Sequence, residues 1–535
     1  MTYFTNNKWG NNQYQNLSDQ DSLMYYLSDS KVRFTISSIV LGTCFALIIL
    51  LLCSMSLRET RNRTVIILDA SQSLLTKTSE RFLSYGLDSS LLRDMKNLPI
   101  NDKRFRILAR HLSPAYVRVG GTSADCLLFN QTLHQSDKIF NPLNGEDISN
   151  FTITDKDFLA LGDFAQQSNA RMIFDLNVLL RNSDGNWDYT DAKKIISIAK
   201  GHNLELDWQL GNEPNSFRHV FNRTVTAIQL ASDYITLRNI LDASGYESSN
   251  LIGPEVNHIG DVNHKGEQYA AEFLLNSENS VTYASWHQYY LNGREATVED
   301  FVNMTVFNYL SPQIKSVANV INAIGKDVYM WISETSTAYG GGAPELSDRF
   351  VAGFLWLDKL GYSASVGVDV VTRQSFFGGN YALVSPDLTP NPDWWISVAY
   401  KQLVSNKVLQ LVTPNNFGLL RLYAHCTPES NSPNRVPAVT IYGVNLDKEP
   451  ARIIVQSFFN PKLIENNNIY LYAFTADHLQ SSSIKLNGKT LMLEDNGELP
   501  PFLPIILDRH QTIVIPAYSM VFMVFDSVNV AACTD

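Results

Sequence analysis

Along most of the chain, short apolar runs alternate with longer stretches in which apolar positions recur at helical spacing. The short runs are Phe82–Asp88, Tyr116–Gly121, Arg171–Asn177, Leu206–Glu213, Leu251–Val256, Val281–Tyr290, Val328–Thr335 and Val368–Gln374. Each has the length and the β-branched or aromatic content of a strand, and amphipathic segments lie between them. One such segment shows the period: Phe350, Phe354 and Leu357 recur at spacings of four and three, and Ser347 stands where a helix cap is needed. Eight strands interleaved with helices predict an α/β fold, a closed (β/α)8 TIM barrel, over residues 79–399.

From about Tyr400 the helical period stops. VPAVTIYGVNL, ARIIVQSFF, NIYLYAFTA and QTIVIPAYSMVFMVF read as strands with intervening turns, predicting an all-β sandwich without helices over 400–535. The β-like segment 64–78 has no barrel partner of its own and is expected to join that sandwich.

The N-terminus follows neither pattern. Residues 1–33 are polar and rich in Asn, Gln and Ser, reading as a disordered tail. Residues 34–57 carry no charge, and at about 1.5 Å per residue such a helix would span a hydrocarbon core of about 30 Å. The reading is a transmembrane signal-anchor; its competitor is a cleavable signal peptide, with Ser54 and Ser56 as small residues near a cleavage site. Lys31 and Arg33 precede the run and Arg58, Arg61 and Arg63 follow it, so flanking charge leaves the orientation open. Sequons at Asn62, Asn130, Asn150, Asn222 and Asn303 place the domain outside the cytosol. The expectation is a single-pass type II membrane protein with an extracellular or luminal domain, the alternative a secreted or lysosomal protein after cleavage.

Composition narrows the partners. The 535 residues are 45% hydrophobic and 18% charged, as in globular proteins, and the net charge of −11 argues against nucleic acid. Cys44 and Cys53 fall in the apolar run, leaving Cys126, Cys426 and Cys533 in the domain. No CxxC or His-rich spacing points to a metal, and no cofactor is expected.

Barrel enzymes carry catalytic groups at the C-terminal ends of strands. Here the fourth run ends Gly211-Asn212-Glu213-Pro214-Asn215 and the seventh ends Ser333-Glu334-Thr335. Either glutamate alone reads as a strand-end ion pair. Together they match the needs of glycosidic cleavage: one carboxylic acid to protonate the leaving oxygen, and one carboxylate to attack or stabilise the anomeric carbon. Asn212, next to Glu213, suits a hydrogen bond to the sugar 2-hydroxyl.

WQLGNEPNSF (208–217), YYLNGR (289–294), ETSTAYGGGAPELSDRF (334–350) and LARHLSPAYVRVGGT (108–122) resemble the heparanase family, family 79 of the glycoside hydrolases. The resemblance covers about Thr64 to Cys533. It implies retaining endo-β-glucuronidases acting on heparan sulfate, built as a barrel plus a β-sandwich, with a glycosaminoglycan as partner. It also implies Glu213 as acid/base, Glu334 as nucleophile, Asn212 as the 2-hydroxyl partner and Tyr289 as a neighbour of the nucleophile. Asp88, Thr122, His287, Arg294, Gly379 and Tyr381 match substrate-contacting positions, and Cys426 and Cys533 match the family's closing disulfide. Mammalian members carry a long excised linker where this chain has only Phe129–Phe158, which predicts a single-chain enzyme. The loop after the fifth run, Gly253–Gln268, holds one Lys with His258 and His264, so its positive field is expected only at mildly acidic pH. Gln288 and Ser90 stand where the family commonly has His and Asn. Alternatives are the same mechanism on hyaluronan, an exo-β-glucuronidase, or a non-catalytic heparan-sulfate-binding protein.

Overall fold

The structure is a computed structural model describing residues 38–49, 63–68, 73–130, 147–261, 265–412, 418–457, 468–508, 511–526 and 530–534. The chain divides into two units, Met1–Arg63 and Thr64–Asp535. In the first, residues 38–49 form a helix with exposed apolar side chains, Leu41 and Phe45 among them. No helix among the described residues is long and apolar enough to cross a membrane. The transmembrane signal-anchor and the single-pass type II membrane protein are thereby overturned. Residues 34–37 and 50–57 of that apolar run lie outside the described residues, as do the tail 1–33, Asn62 and His264.

In the second unit the alternation of the sequence becomes a barrel. Its strands are β1 (Leu83–Asp88), β2 (Ala115–Gly120), β3 (Ala170–Leu176), β4 (Leu206–Leu210), β5 (Ile252–Val256), β6 (Tyr283–Gln288), β7 (Tyr329–Thr335) and β8 (Val368–Arg373). They pair in parallel in the order β4-β3-β2-β1-β8-β7-β6-β5, and a bridge between Trp208 and Leu251 brings the two edges together. One longer helix follows each strand: α1 (Lys103–Arg110), α2 (Asp155–Gln167), α3 (Thr190–Gly201), α4 (Ala227–Ala243), α5 (Gly266–Asn276), α6 (Leu310–Ile324), α7 (Ala352–Ser365) and α8 (Pro392–Leu403). Tyr116, Ile173, Ile252, Trp331 and Val370, one each from five strands, fill the barrel interior as a packed layer. Two positions along from Tyr116 and Ile173, in the direction of the C-terminal ends, stand Arg118 and Asp175, so apolar packing gives way to buried charge within one pleat.

Ser347 does not cap a helix as its position suggested. Its hydroxyl accepts from Ala343 N at 2.9 Å and from Thr337 Oγ1 at 2.7 Å, tying down the loop before α7. The hydroxyl is spent on local turn geometry, a choice open to Ser wherever backbone donors lie near.

After α8 the chain builds two antiparallel sheets. The larger is centred on β9 (Leu420–Cys426), β10 (Val439–Asn445), β11 (Asn468–Thr475) and β12 (Ser519–Phe525), in the order β9-β10-β12-β11. The smaller joins Leu411–Val412, Arg63–Leu68, Ala451–Ser457 and Ile513–Ile515, so of the two pre-barrel strands Arg63–Leu68 lies in this sheet and Thr76–Lys77 in the larger. Strands β10 and β12 are nearly all buried because both their faces are covered. Val439, Ile441, Val521 and Met523 belong to the core with the smaller sheet, whereas Tyr442, Met520 and Phe522 join the barrel core. This explains why VTIYGVN and SMVFMVF run almost continuously apolar. The domain is all-β as expected apart from short helical turns, where none was expected: Ala531–Thr534 carries Cys533, which is bonded to Cys426 at the end of β9.

Candidate active site

The barrel strands converge on Arg118. It sits in β2 with 1% of its surface exposed, and its guanidinium fans out to five side chains. Nε donates to Gln209 Oε1 at 2.8 Å, Nη1 to Glu334 Oε2 at 2.7 Å and Nη2 to Asn212 Oδ1 at 2.7 Å. Nη2 also lies 3.0 Å from Glu255 Oε2 and 3.8 Å from Asp175 Oδ2. A planar fork of five donors suits such a hub, where an ammonium would not. Burial opposes its charge, but Glu255, Glu334 and Asp175 hold the cation firmly.

Glu334 lies near the end of β7. Its other oxygen, Oε1, accepts from Tyr289 Oη at 2.8 Å. Burial alone would raise its pKa; the charges of His287 and Arg118 and the bonds from Tyr289 and Arg118 outweigh that, so the carboxylate is held below the usual range. Tyr289 itself is pushed well up, by burial first and then by Glu334, and acts as a neutral donor.

His287 bridges two glutamates. Nδ1 lies 2.8 Å from Glu213 Oε1 and Nε2 2.9 Å from Glu255 Oε2. Burial pulls its pKa down, but the Glu334 charge and the bonds to Glu213 and Glu255 raise it to about 10. The ring is therefore an imidazolium donating from both nitrogens. Burial also opposes the charge of Glu255, yet Arg118 and His287 keep that carboxylate low.

Glu213 follows β4 in left-handed backbone (φ 54°, ψ 50°), an uncommon conformation for a residue with a side chain. Its amide donates to Glu255 O at 3.0 Å, pinning the turn to β5. Asn257 Nδ2 donates to Glu213 Oε2 at 2.7 Å. Asn212 donates its backbone N–H to Asp125 Oδ2 at 2.9 Å, and burial pushes Asp125 up to about 7. Glu213, His287 and Glu334 each place one ligand-type atom within 4.8 Å of the other two. With both ring nitrogens donating, the imidazolium has no lone pair to offer a metal.

The remaining sequence candidates sort by depth. Asp88, at the end of β1, accepts from Gln374 Nε2 at 2.7 Å and from Ser90 N at 2.8 Å. Tyr381 is buried, and burial with the nearby Asp88 and Glu334 charges keeps its phenol neutral. Gly379 (φ 75°) lies against the Tyr381 ring, where a Cβ would sit 2.8 Å from Cε2. Thr122 is half-buried at the start of the turn Thr122–Cys126, and Arg294 is exposed after Leu291–Asn292, its amide donating to Asn292 Oδ1 at 3.1 Å. The sequon residues Asn130, Asn150, Asn222 and Asn303 are all exposed.

Sequence reasoning missed Arg118, Glu255, Asp175 and Asn257. The first three carried a signal: a charge inside an otherwise apolar strand, in YVRVGG, LIGPEV and RMIFDLN. Such a charge is buried only if partnered or neutralised.

Residues 84–361 match the family described as "Glycosyl hydrolase family 79, N-terminal domain". The chain is 34% identical to the heparanase of Rattus norvegicus over 503 residues, covering 86% of this chain and 93% of that one. It is 30% identical to the hyaluronoglucuronidase of Hirudo nipponia over 497 residues, covering 86% and 98%. Among solved structures, the 4-O-alpha-L-rhamnosyl-beta-D-glucuronidase of Fusarium oxysporum 12S superposes with a TM-score of 0.64 at 15% identity, over 86% of this chain and 99% of that one, a likeness of fold.

Proposed function

The chain belongs to glycosyl hydrolase family 79 and is a glycoside hydrolase, and from that premise we propose that it is a retaining endo-β-glucuronidase cleaving heparan sulfate-type chains. The observation that carries the mechanism is the approach of Glu213 and Glu334, an oxygen of each lying within 4.8 Å of the other. Retaining enzymes keep their carboxyl groups about 5–5.5 Å apart, whereas inverting enzymes leave about 6.5–9.5 Å for a water. In the first step Glu334 attacks the anomeric carbon and the glycosidic C–O bond breaks. The electron pair stays on the leaving oxygen, which takes the proton of Glu213. In the second step Glu213 takes a proton from water, whose oxygen displaces Glu334 from the sugar.

The surroundings support these roles. Arg118, His287 and Tyr289 favour the ionised Glu334 that attack requires. Asn212 spends its carbonyl on Arg118, which turns its NH2 into the group available to the 2-hydroxyl. Asp88 and Thr122 are assigned to substrate contact, and His287, Arg294, Gly379 and Tyr381 to the lining of the glucuronate cleft. Endo action and heparan sulfate rest on the shared motifs and on the rat relative. The leech relative favours hyaluronan as a second reading, with the same carboxylates.

Incubating the protein with heparan sulfate, hyaluronan and a small aryl glucuronide at mildly acidic pH, then sizing the products, separates these readings. Shortened heparan sulfate is expected; monosaccharide release alone would sink endo action. Glu334→Ala is expected to lower turnover at least about 10³-fold while retaining polysaccharide binding. Undiminished cleavage by that variant would remove the nucleophile assignment.

A further inference from the structure

We propose that Asn257 is a positioning residue that aims the proton-bearing oxygen of Glu213 at the glycosidic oxygen. The proposal rests on the reading of Glu213 as acid/base. A glutamate has enough rotatable bonds to point its carboxyl in many directions, and proton transfer needs one. Here both oxygens are held. The imidazolium of His287 takes Oε1 at 2.8 Å, and the Asn257 amide takes Oε2 at 2.7 Å. A cationic N–H facing Oε1 disfavours a proton there, so Oε2 is the oxygen that carries it. An oxygen has two lone pairs, and Asn257 occupies one while leaving the other for the proton.

Asn257 can do this because its own orientation is fixed by the segment that follows Glu213. Ser216 Oγ donates to Asn257 Oδ1 at 2.8 Å, which turns the NH2 end toward the carboxylate. Asn215 then clamps the Asn257 backbone on both sides, Nδ2 donating to the Asn257 carbonyl at 3.2 Å and Oδ1 accepting from its amide at 3.3 Å. Two residues further on, the carbonyl of Ile259 accepts from the buried Gln313 Nε2 at 2.7 Å, anchoring this loop to α6. Glu213, Asn215, Ser216 and Asn257 thus form one closed unit across the ends of β4 and β5.

A misaimed acid should matter only where the leaving group needs a proton. The test compares kcat/KM on two N-acetylglucosaminyl-glucuronides that differ in leaving group, 2,4-dinitrophenol, which departs unprotonated, and methanol, which cannot. Asn257→Ala is expected to lose about ten- to a hundredfold on the methyl glycoside and less than about threefold on the dinitrophenyl one. Ser216→Ala, which frees the amide to turn, is expected to lose less but with the same selectivity. Equal losses on both substrates, or none on either, would overturn the proposal. Glu213→Gln is the control: if it too loses equally on both, the acid/base reading falls and the proposal with it. If Glu213→Gln spares the dinitrophenyl substrate while Asn257→Ala does not, only the role of Asn257 falls.

Discussion

Asp175 shows how a single buried residue takes its charge state from its surroundings. Neither of its oxygens has a hydrogen-bond partner among the described residues, and Arg118 Nη2 is 3.8 Å from Oδ2. Burial pushes its pKa up; Arg118 pulls against this, but the negative charges of Asp125 and Glu255 add to it, and the net shift is well upward. Burial therefore favours the protonated form of Asp175, whereas Glu334, on the same guanidinium, is held toward the anion. The folded pKa lies above the unfolded one, so this group's stability contribution is full below about pH 4 and is lost as pH rises. Asp175→Asn keeps the size, stands in for the protonated acid and removes that loss. Its unfolding free energy at pH 7, from urea melts, is expected to match or exceed that of the parent. A drop of about 3–5 kcal/mol is what breaking a charged buried pair would cost, and it would show that Asp175 is ionised.

Elements add what their residues cannot do alone. The pairing of β6 with β7 slips between Trp286 and His287, which sets His287 opposite Glu334. A bulge of this kind re-aims a side chain without lengthening the strand pattern, so the run Val281–Tyr290 revealed the strand but not the turn of the imidazole. The eight strand runs were legible to within three residues at their ends because alternation of apolar and polar positions is local. In the sandwich, β9 buries His425, whose Nδ1 lies 2.7 Å from Ser405 O and whose Nε2 lies 3.0 Å from Tyr442 Oη. Burial pushes its pKa down to about 4 against one backbone acceptor. The folded pKa is below the unfolded value, so the imidazole's contribution is full above about pH 6.5 and disappears as pH falls through about 4. The full effect is about 3 kcal/mol. Comparing urea midpoints between pH 7 and pH 4, His425→Gln is expected to show a shallower decline than the parent. An unchanged slope would mean that His425 titrates alike in both states.

At the scale of the molecule, α7 joins barrel and sandwich. Asp358 Oδ1 accepts from Arg421 Nε at 2.7 Å and from Tyr423 Oη at 2.6 Å, and Arg421 Nη1 reaches Asn308 at 2.8 Å. Beside this pair the helix surface is cut away at Gly361, where a Cβ would lie 2.0 Å from Tyr423 Cδ2. Gly361→Ala gains helix propensity of about 1 kcal/mol but overpacks the seam by about 1–3 kcal/mol or more. Its thermal midpoint is expected to fall; a rise would mean that Tyr423 swings aside at no cost. Behind the seam, α7 follows directly on the Glu334 strand, so the sandwich braces the half of the barrel that carries this carboxylate.

The sequence by itself determined the alternation of strands and helices, the change to β-structure after about residue 400 and the two glutamates at strand ends. All of these are written in local periodicity and in contiguous motifs such as WQLGNEPNSF and ETSTAYGGG. The apolar run near the N-terminus was equally legible as composition, yet no helix among the described residues is long and apolar enough to cross a membrane. Tertiary structure alone decided that Glu213 and Glu334 meet within 4.8 Å, that Arg118 lies between Glu334, Glu255 and Asn212, and that the pKa values of His287 and Asp175 are both pushed up. Those outcomes depend on which charges share one water-poor interior, and residues brought there from different strands of the barrel settle them jointly.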